Sequence, residues 1–211
     1  MGRTNVGRQG SGPVVAFDFD GTLTFRDSFM AFLAWRAGFL GYLLGLARLA
    51  PAAVAYVFHR DRGRLKAAAA HIFLCGLTPH ELDLACEAFA ESPLGRRLVR
   101  PDAERCWRDW GDKGATRVIV TASPEPVVAP FARRLGADSL IGTRLGLDAG
   151  GRIDGGLQGG NCRGAEKVER LRAMFGPGLR LAAAYGDTSG DREMLELAQI
   201  RGYRVFHGKA G

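Results

Sequence analysis

Three apolar runs, Val14 to Phe17, Arg117 to Thr121 and Leu179 to Tyr185, each stop at small polar and acidic residues and are separated by stretches that read as helices. Buried strands alternating with helices predict the α/β class, a doubly wound, Rossmann-like parallel sheet, and in such sheets ligands bind beyond the carboxyl ends of the strands. The first run delivers Asp18 and Asp20, the second Thr121 and Ser123, the third Asp187 and Asp191. On an extended backbone residues two apart share a side, so Asp18 and Asp20 are expected to project together while Phe19 turns away. Two carboxylates that close repel, and one is driven toward its neutral form unless a bound cation or a shared proton relieves the pair. A strand closing in an Asp-Gly turn is the plainer account of these residues taken alone.

With 211 residues the chain is long enough for a full core, as one domain or one domain carrying an insertion. A hydrophobic content of 46% excludes wholesale disorder. The formal charge of +7 admits nucleic acid, phosphorylated substrates or an anionic membrane surface as partners. Basic residues are spread along the chain with neither zinc-finger spacing nor an aromatic-basic RNA-binding motif, so no specific nucleic-acid partner is expected. Cys75, Cys86, Cys106 and Cys162 lack metal-site or redox-pair spacing, and reduced thiols in the cytoplasm are the expected state. Residues 1–12 are polar and glycine-containing without the apolar core of a signal peptide, and are expected to form a disordered tail. Val6 stands where a myristoylation pattern needs Ser or Thr.

Residues 26–111 contain no convincing strand and read as a helical cap inserted into a core made of 13–25 and 112–211. Within the insertion, Ala37 to Phe58 is apolar apart from Arg48 and approaches the roughly 20 residues that span a bilayer. Pro51, glycines at 38, 41 and 45, and the cost of a central arginine, about 3 kcal/mol on insertion scales, count against a span. An interfacial hairpin touching the inner face of the membrane is one expectation; helices packed on the body of the protein or on a partner subunit are the other. Leu65 to Leu74 is alanine-rich and helical, and Thr78-Pro79-His80-Glu81 has the form of a capping box, with Leu82, Ala85, Cys86 and Phe89 as the buried stripe that follows. A helix opens at Pro101 and runs through Trp107 and Trp110. Further on, Leu140 to Leu147 and Ile153 to Leu157 form a hairpin, Lys167 lies on a helix reaching Phe175, a helix covers Arg192 to Ala198, and Tyr203 to Phe206 is a last strand. His59, His71 and His80 share no ligand spacing and are expected to be structural or solvent-facing.

The strand ends together hold four carboxylates, hydroxyls and glycine amides, to which Lys167 adds a cation. Such a set suits a hard cation such as magnesium beside a phosphate; calcium is disfavoured because no EF-hand spacing is present.

Taken in order, Asp18-Phe19-Asp20-Gly21-Thr22, Thr121, Lys167 and Gly186-Asp187 to Asp191 resemble the four motifs of the haloacid dehalogenase-like superfamily. The likeness covers nearly the whole chain from Val14, and the helical insertion is similar to the cap of the phosphoserine-phosphatase-like branch, subclass IB. The resemblance implies a magnesium-dependent phosphomonoester hydrolase in which Asp18 attacks phosphorus to give an aspartyl phosphate and Asp20 protonates the leaving alkoxide, then deprotonates water. It implies metal held by Asp18, the Asp20 backbone carbonyl and Asp187 with support from Asp191, and phosphate held by Gly21, Thr121, the Ala122 amide and Lys167. Ser123, Thr188 and Ser189 also read as local turn hydroxyls. Gly190 departs from the asparagine that phosphoserine phosphatases carry before the last acidic residue, so a contact on the phosphate side is in question.

For the substrate, Asp27 stands where phosphoserine phosphatases place an acid that recognises an amine. Their cap arginine for the substrate carboxylate falls near Ala70 here, so Arg64 or Lys66 is the expected substitute. The apolar Phe29 to Phe58 stretch is similar instead to the cap of bacterial phosphatidylglycerophosphatase C-type enzymes, and the run Cys162 to Lys167 and the segment Arg201 to Phe206 point the same way. A lipid-linked phosphate such as phosphatidylglycerophosphate is the preferred substrate, with phosphoserine or another small metabolite phosphate as the alternative. A membrane- or partner-docking regulatory protein of weak activity is the reading from another class. The expected location is cytoplasmic, with peripheral contact through the cap helices; the sequence does not address oligomeric state.

Overall fold

The computed structural model describes residues 12–59 and 61–208, so all of the expected tail but Gly12 lies outside the described residues. Six strands form one sheet in the order β4-β3-β2-β1-β5-β6: β1 (Val14–Phe17), β2 (Thr116–Pro124), β3 (Ser139–Leu147), β4 (Ile153–Gln158), β5 (Leu181–Gly186) and β6 (Ala198–Tyr203). All neighbours are parallel except the β3–β4 hairpin. β1 lies in the middle, with Phe17 opposite Ile119 on one side and Tyr185 on the other, so the three apolar runs reach their carboxyl ends side by side. Alternation along β1 puts Val15 and Phe17 into one buried cluster and Ala16 into a second on the opposite face, as a doubly wound sheet requires.

Two elements differ from expectation. The last strand is Ala198–Tyr203 rather than Tyr203 to Phe206, because Leu181 pairs with Ala198 and the preceding helix, Arg192–Glu196, stops short of it. Phe206 instead packs its ring against Tyr185, at 5.3 Å between centroids. β2 continues past Thr121 to Pro124 through a register shift, with Thr143 Oγ1 donating to the Ala122 carbonyl at 2.7 Å, so the polar residues lie on an irregular strand and not in a loop.

The insertion comprises α1 (Ser28–His59), α2 (Arg62–Leu74), α3 (Pro79–Glu91), α4 (Pro93–Arg96) and α5 (Pro101–Asp112). It does not stand apart from the core. Trp107 of α5 meets Phe17 edge-on at 5.0 Å and donates Nε1–H to the Leu135 carbonyl, so α5, assigned by sequence to the cap, covers one face of the sheet. Aromatic rings run from the cap to the first motif, Phe32 to Phe89 at 5.6 Å, Phe89 to Phe131 at 6.0 Å and Phe131 to Phe19 at 5.5 Å. The Thr78–Glu81 capping box forms as its residue types require.

α1 breaks at Gly38, whose φ of 66° is costly for other residues, and then continues through Pro51. The expected interruption at Pro51 does not occur: Pro51 faces solvent, where a helix loses one hydrogen bond at least cost because water reaches the freed carbonyl. The apolar stretch is therefore one long arm, and its hairpin partner is α2. Gly45 allows the close approach, since a Cβ there would lie 2.0 Å from the Phe73 ring. α2 in turn rests on β4, with His71 Nδ1 2.8 Å from the Asp154 carbonyl oxygen, a structural role for that histidine. Sandwiched between the arm and the sheet, α2 needs the small side chains of its alanine-rich sequence.

Candidate active site

Asp18 is the first residue beyond β1, tied by its N–H to the Tyr185 carbonyl at 2.9 Å. There the chain leaves the strand and enters a wide turn over Phe19–Leu23, with Gly21 at φ 82°. Asp18 and Asp20 both line the same cavity, and the charge of Asp20 adds to the forces raising the Asp18 pKa, but their carboxylates have different partners. The Asp20 carboxylate accepts from the Ser28 N–H at 2.7 Å and the Ser123 hydroxyl at 2.5 Å, linking the first motif to the start of the cap and to β2. Asp18 instead joins Asp187 and Asp191, each offering an oxygen within 4.8 Å of the others. The Asp20 carboxylate lies outside that cluster.

Lys167 organises the cluster from below. It sits on α7 (Ala165–Phe175), whose start is anchored to the loop after β5 by a Gly164 N–H to Gly190 carbonyl bond of 2.8 Å. Its side chain is 1% exposed, and Nζ donates to Asp18 Oδ1 at 2.6 Å, Asp191 Oδ1 at 2.7 Å and the Val120 carbonyl at 2.6 Å. All three ammonium donors are used. Burial alone would lower the pKa of Lys167, but the two carboxylates outweigh it and hold the amine charged. Asp191 is satisfied within the protein: its second oxygen accepts from the Thr188 N–H at 2.9 Å and hydroxyl at 3.0 Å. Burial raises its pKa, yet Lys167 and Thr188 together keep it below the usual carboxylate range.

Asp187 has no such support. Burial pushes its pKa up, and its Oδ1 is buried without a hydrogen-bond partner among the described residues. Asp18, raised to about 7 chiefly by burial against the opposing pull of Lys167, has no hydrogen bond to Oδ2 among the described residues. An orphaned buried carboxylate oxygen beside a half-used one, all donors being hard, is the chemistry a divalent cation satisfies. Asp18 and Asp187 are the residues that would hold it, with Asp191 orienting Lys167 and the Asp187 backbone.

Gly21 closes this pocket. A Cβ there would lie 2.2 Å from Asp187 Oδ2, on a backbone that L residues already avoid. Gly21→Ala is expected to displace Asp187 and to weaken binding of a divalent cation at least about tenfold, the scale of a perturbed ligand environment; titration calorimetry at fixed pH would show it, and unchanged affinity would mean that Asp187 is not a ligand.

The raised Asp18 has a consequence for stability. A carboxyl with a folded pKa of about 7 against 3.8 unfolded binds its proton more tightly in the native state, so its contribution is complete at low pH and is lost as pH rises through 7. The metal-free protein is expected to melt at least about 5 °C lower at pH 8 than at pH 5, with magnesium restoring the difference and Asp18→Asn reducing it. A flat profile would contradict the burial of that charge.

The site opens into a cavity of about 480 Å³ whose lining includes Asp18, Asp20, Gly21, Thr121, Ala122, Lys167, Asp187 and Asp191, together with Asp27 and Lys66 from the cap. Thr121 is buried, and its Oγ1 accepts from the Ser123 N–H at 3.0 Å. Asp27 accepts from the Met30 N–H at 2.8 Å and so caps α1. Lys66 donates to the Ala122 carbonyl, and burial lowers its pKa. Arg64 does not line this cavity: its side chain is 84% exposed, pairs with Asp61, and borders an adjoining hollow that shares Arg62, Asn161 and Arg163 with it. Positions 62, 66 and 69 line the cavity, a spacing of four and three on one helical face, and 64 falls on the other side.

Among the polar lining residues, Arg26, Tyr56, Arg62, Asn161 and Arg163 carried no sequence assignment as ligands. Arg163 explains the departure at Gly190. Its guanidinium donates to the Thr188 and Ser189 hydroxyls at 3.3 and 3.0 Å, and a Cβ on Gly190 would come within 2.4 Å of it. Glycine at 190 is the signal that a neighbouring side chain fills the place.

A mostly parallel sheet with acidic residues at adjacent strand ends, a buried lysine between them and a helical cap over the opening defines a hydrolase class. The haloacid dehalogenase-like hydrolase family matches residues 15–196, and the chain belongs to it. It is 59% identical over 208 residues to Protein CicA of Caulobacter vibrioides (strain NA1000 / CB15N), covering 98% of this chain and 93% of that protein. A solved protein with unknown function from Bordetella pertussis Tohama I is similar at a TM-score of 0.72 and 26% identity, over 88% of this chain and 86% of that one. Phosphoserine phosphatase in apo form shares the fold, at a TM-score of 0.58 and 18% identity over 92% and 86% of the two chains.

Proposed function

We propose that the chain is a magnesium-dependent phosphomonoesterase that works through an aspartyl phosphate on Asp18 and acts on a lipid-linked phosphate. The observation that carries the chemistry is the division of labour between the two carboxylates of the first motif. Lys167 binds one oxygen of Asp18 and leaves the other for attack on phosphorus, while Asp20, on the same cavity wall and held by Ser28 and Ser123, is the proton carrier. Burial and the charge of Asp27 push Asp20 up to about 6, against the pull of Ser123 and Ser28, which suits a group that gives and retakes a proton near neutrality. Asp18 forms the bond to phosphorus as the ester P–O bond breaks, and the departing alkoxide takes the Asp20 proton. Water then attacks the acyl phosphate and gives its proton to Asp20, and Asp18 is released. Magnesium held by Asp18 and Asp187 would supply positive charge that offsets the repulsion between the nucleophile and the phosphoryl group. Lys167 holds Asp18 in place throughout, and Thr121 and the backbone beside Gly21 and Ala122 receive the phosphoryl oxygens.

The cavity walls favour a leaving group with an apolar body. Beyond the carboxylates they are formed by Phe29, Met30, Leu49, Leu65 and Ala69. Arg163 has no carboxylate partner among the described residues, and a guanidinium so placed suits a second anionic group such as a phosphodiester. Phosphoserine is the second reading, favoured by the Asp27 carboxylate on the same wall. A panel of phosphomonoesters assayed with and without vesicles separates the two. Phosphatidylglycerophosphate is expected to exceed phosphoserine at least tenfold in kcat/KM; the reverse order would transfer the assignment to the amino-acid phosphate.

A further inference from the structure

The arm of α1 beyond Gly38 is apolar on every side, yet only one side is covered. Its inner stripe, Tyr42, Gly45, Leu49, Ala52 and Tyr56, recurs at steps of three and four and faces α2 and the cavity. The outer side leaves Phe39 and Phe58 each 78% exposed, with Leu40, Leu44 and Val57 between them. An apolar surface of this extent on one helix is an interaction site.

We infer that this outer face docks in the plane of an anionic lipid bilayer and brings the cavity mouth to its surface. Charge selects the occupant. From Ser28 to Arg60 the chain has no Asp or Glu, while Arg48 lies on the arm, Arg36 just before it, and Arg62 follows Asp61 at its tip. Apolar side chains flanked by arginines fit a surface of acyl chains beneath negative headgroups. A second copy of the chain is a poor match, since two arms face to face would oppose Arg48 to Arg48 with no acid on either arm, and Asp61 at the tip is already paired with Arg64. The N-terminal residues 1–11 offer only Met1 and Val6 as apolar side chains, too few to cover the arm.

By length and composition Ser28–His59 could also cross a membrane. Crossing would strip Gly45 and Leu49 from α2, remove Leu49 and Tyr56 from the cavity wall and leave Arg48 in hydrocarbon. Lying flat keeps all of these contacts. Because Leu49 and Tyr56 belong to the same helix as the exposed face, docking places the opening of the cavity beside the headgroups. The inference rests on the proposed phosphatase reading only for what the cavity does once it is there.

The test is co-sedimentation of the full chain with vesicles of phosphatidylcholine and of an equimolar mixture with phosphatidylglycerol. Wild type is expected to bind the anionic vesicles at least tenfold more tightly than the neutral ones. The exposed double substitution Phe39→Glu with Val57→Glu is expected to lose at least tenfold, and Arg48→Glu to lose severalfold, with melting temperatures unchanged as the check on folding. Wild type remaining in the supernatant with both vesicles, variants that bind as wild type does, extraction only by detergent and not by salt, or an arm buried in a stable dimer would each overturn the inference. Melting and lipid binding are read without turnover, so failure of docking leaves the phosphatase reading standing, and absence of turnover leaves docking standing.

Discussion

Lys167→Met is expected to abolish turnover and to destabilise the protein by about 3–5 kcal/mol, the cost of removing one partner from a buried ion pair. The amine is the hub of three hydrogen bonds, two of them to carboxylates, and its side chain is only 1% exposed to solvent. Without it Asp18 and Asp191 face each other buried and uncompensated, and both are driven toward protonation. Melting is expected to fall by roughly 10 °C for a chain of this size. Arginine is not a substitute, because a planar fork cannot direct donors to Asp18, Asp191 and Val120 as a tetrahedral ammonium does. Calorimetry beside a turnover assay checks both limbs. A variant that melts within 2 °C of wild type, on the scale where that shift is about 1 kcal/mol or less, would mean that the cluster is not held by this charge.

Asp18→Asn separates chemistry from folding. The amide fits the same space and still offers an oxygen to Lys167, while the buried carboxylate charge disappears, so the fold is expected to survive. Turnover is expected to drop by at least about 10⁴-fold, the scale on which loss of a covalent nucleophile is felt. Steady-state kinetics with any accepted phosphomonoester reads this out. Activity within tenfold of wild type would remove Asp18 from its role and return weight to a docking protein that keeps only the fold.

The strand ends were legible because apolar runs stopping at Asp18, Thr121 and Asp187 have little meaning outside a parallel sheet with a site at its carboxyl edge. Lys167 was legible only through the order of the motifs, since a lone lysine on an amphipathic helix reads as a solvent-facing one. Two things were hidden for geometric reasons. The turn over Phe19–Leu23 gives the Asp20 carboxylate partners on Ser28 and Ser123, and no alternation rule written for strands foresees them. The choice between Arg64 and Lys66 depends on the phase of α2, which is set by its packing between the arm and β4 and not by its own alanine-rich pattern. Arg163 was half visible. Gly190 marked a vacancy, but only the structure shows the guanidinium that fills it. The arm reads from sequence as a buried or membrane segment because it is apolar all round, and its covered and bare sides emerge only with α2 in place.

The central claim is that Asp18 itself carries the phosphoryl group. The direct measurement is acid quench of the magnesium-loaded protein during turnover, borohydride reduction of any acyl phosphate and mass spectrometry of the peptide containing residues 14–25. Reduction of an aspartyl phosphate converts that aspartate to homoserine, and the account predicts the change at Asp18 alone, dependent on substrate and absent from Asp18→Asn. Turnover proceeding with no modified peptide under the same quench, or with the modification at Asp20, would contradict it.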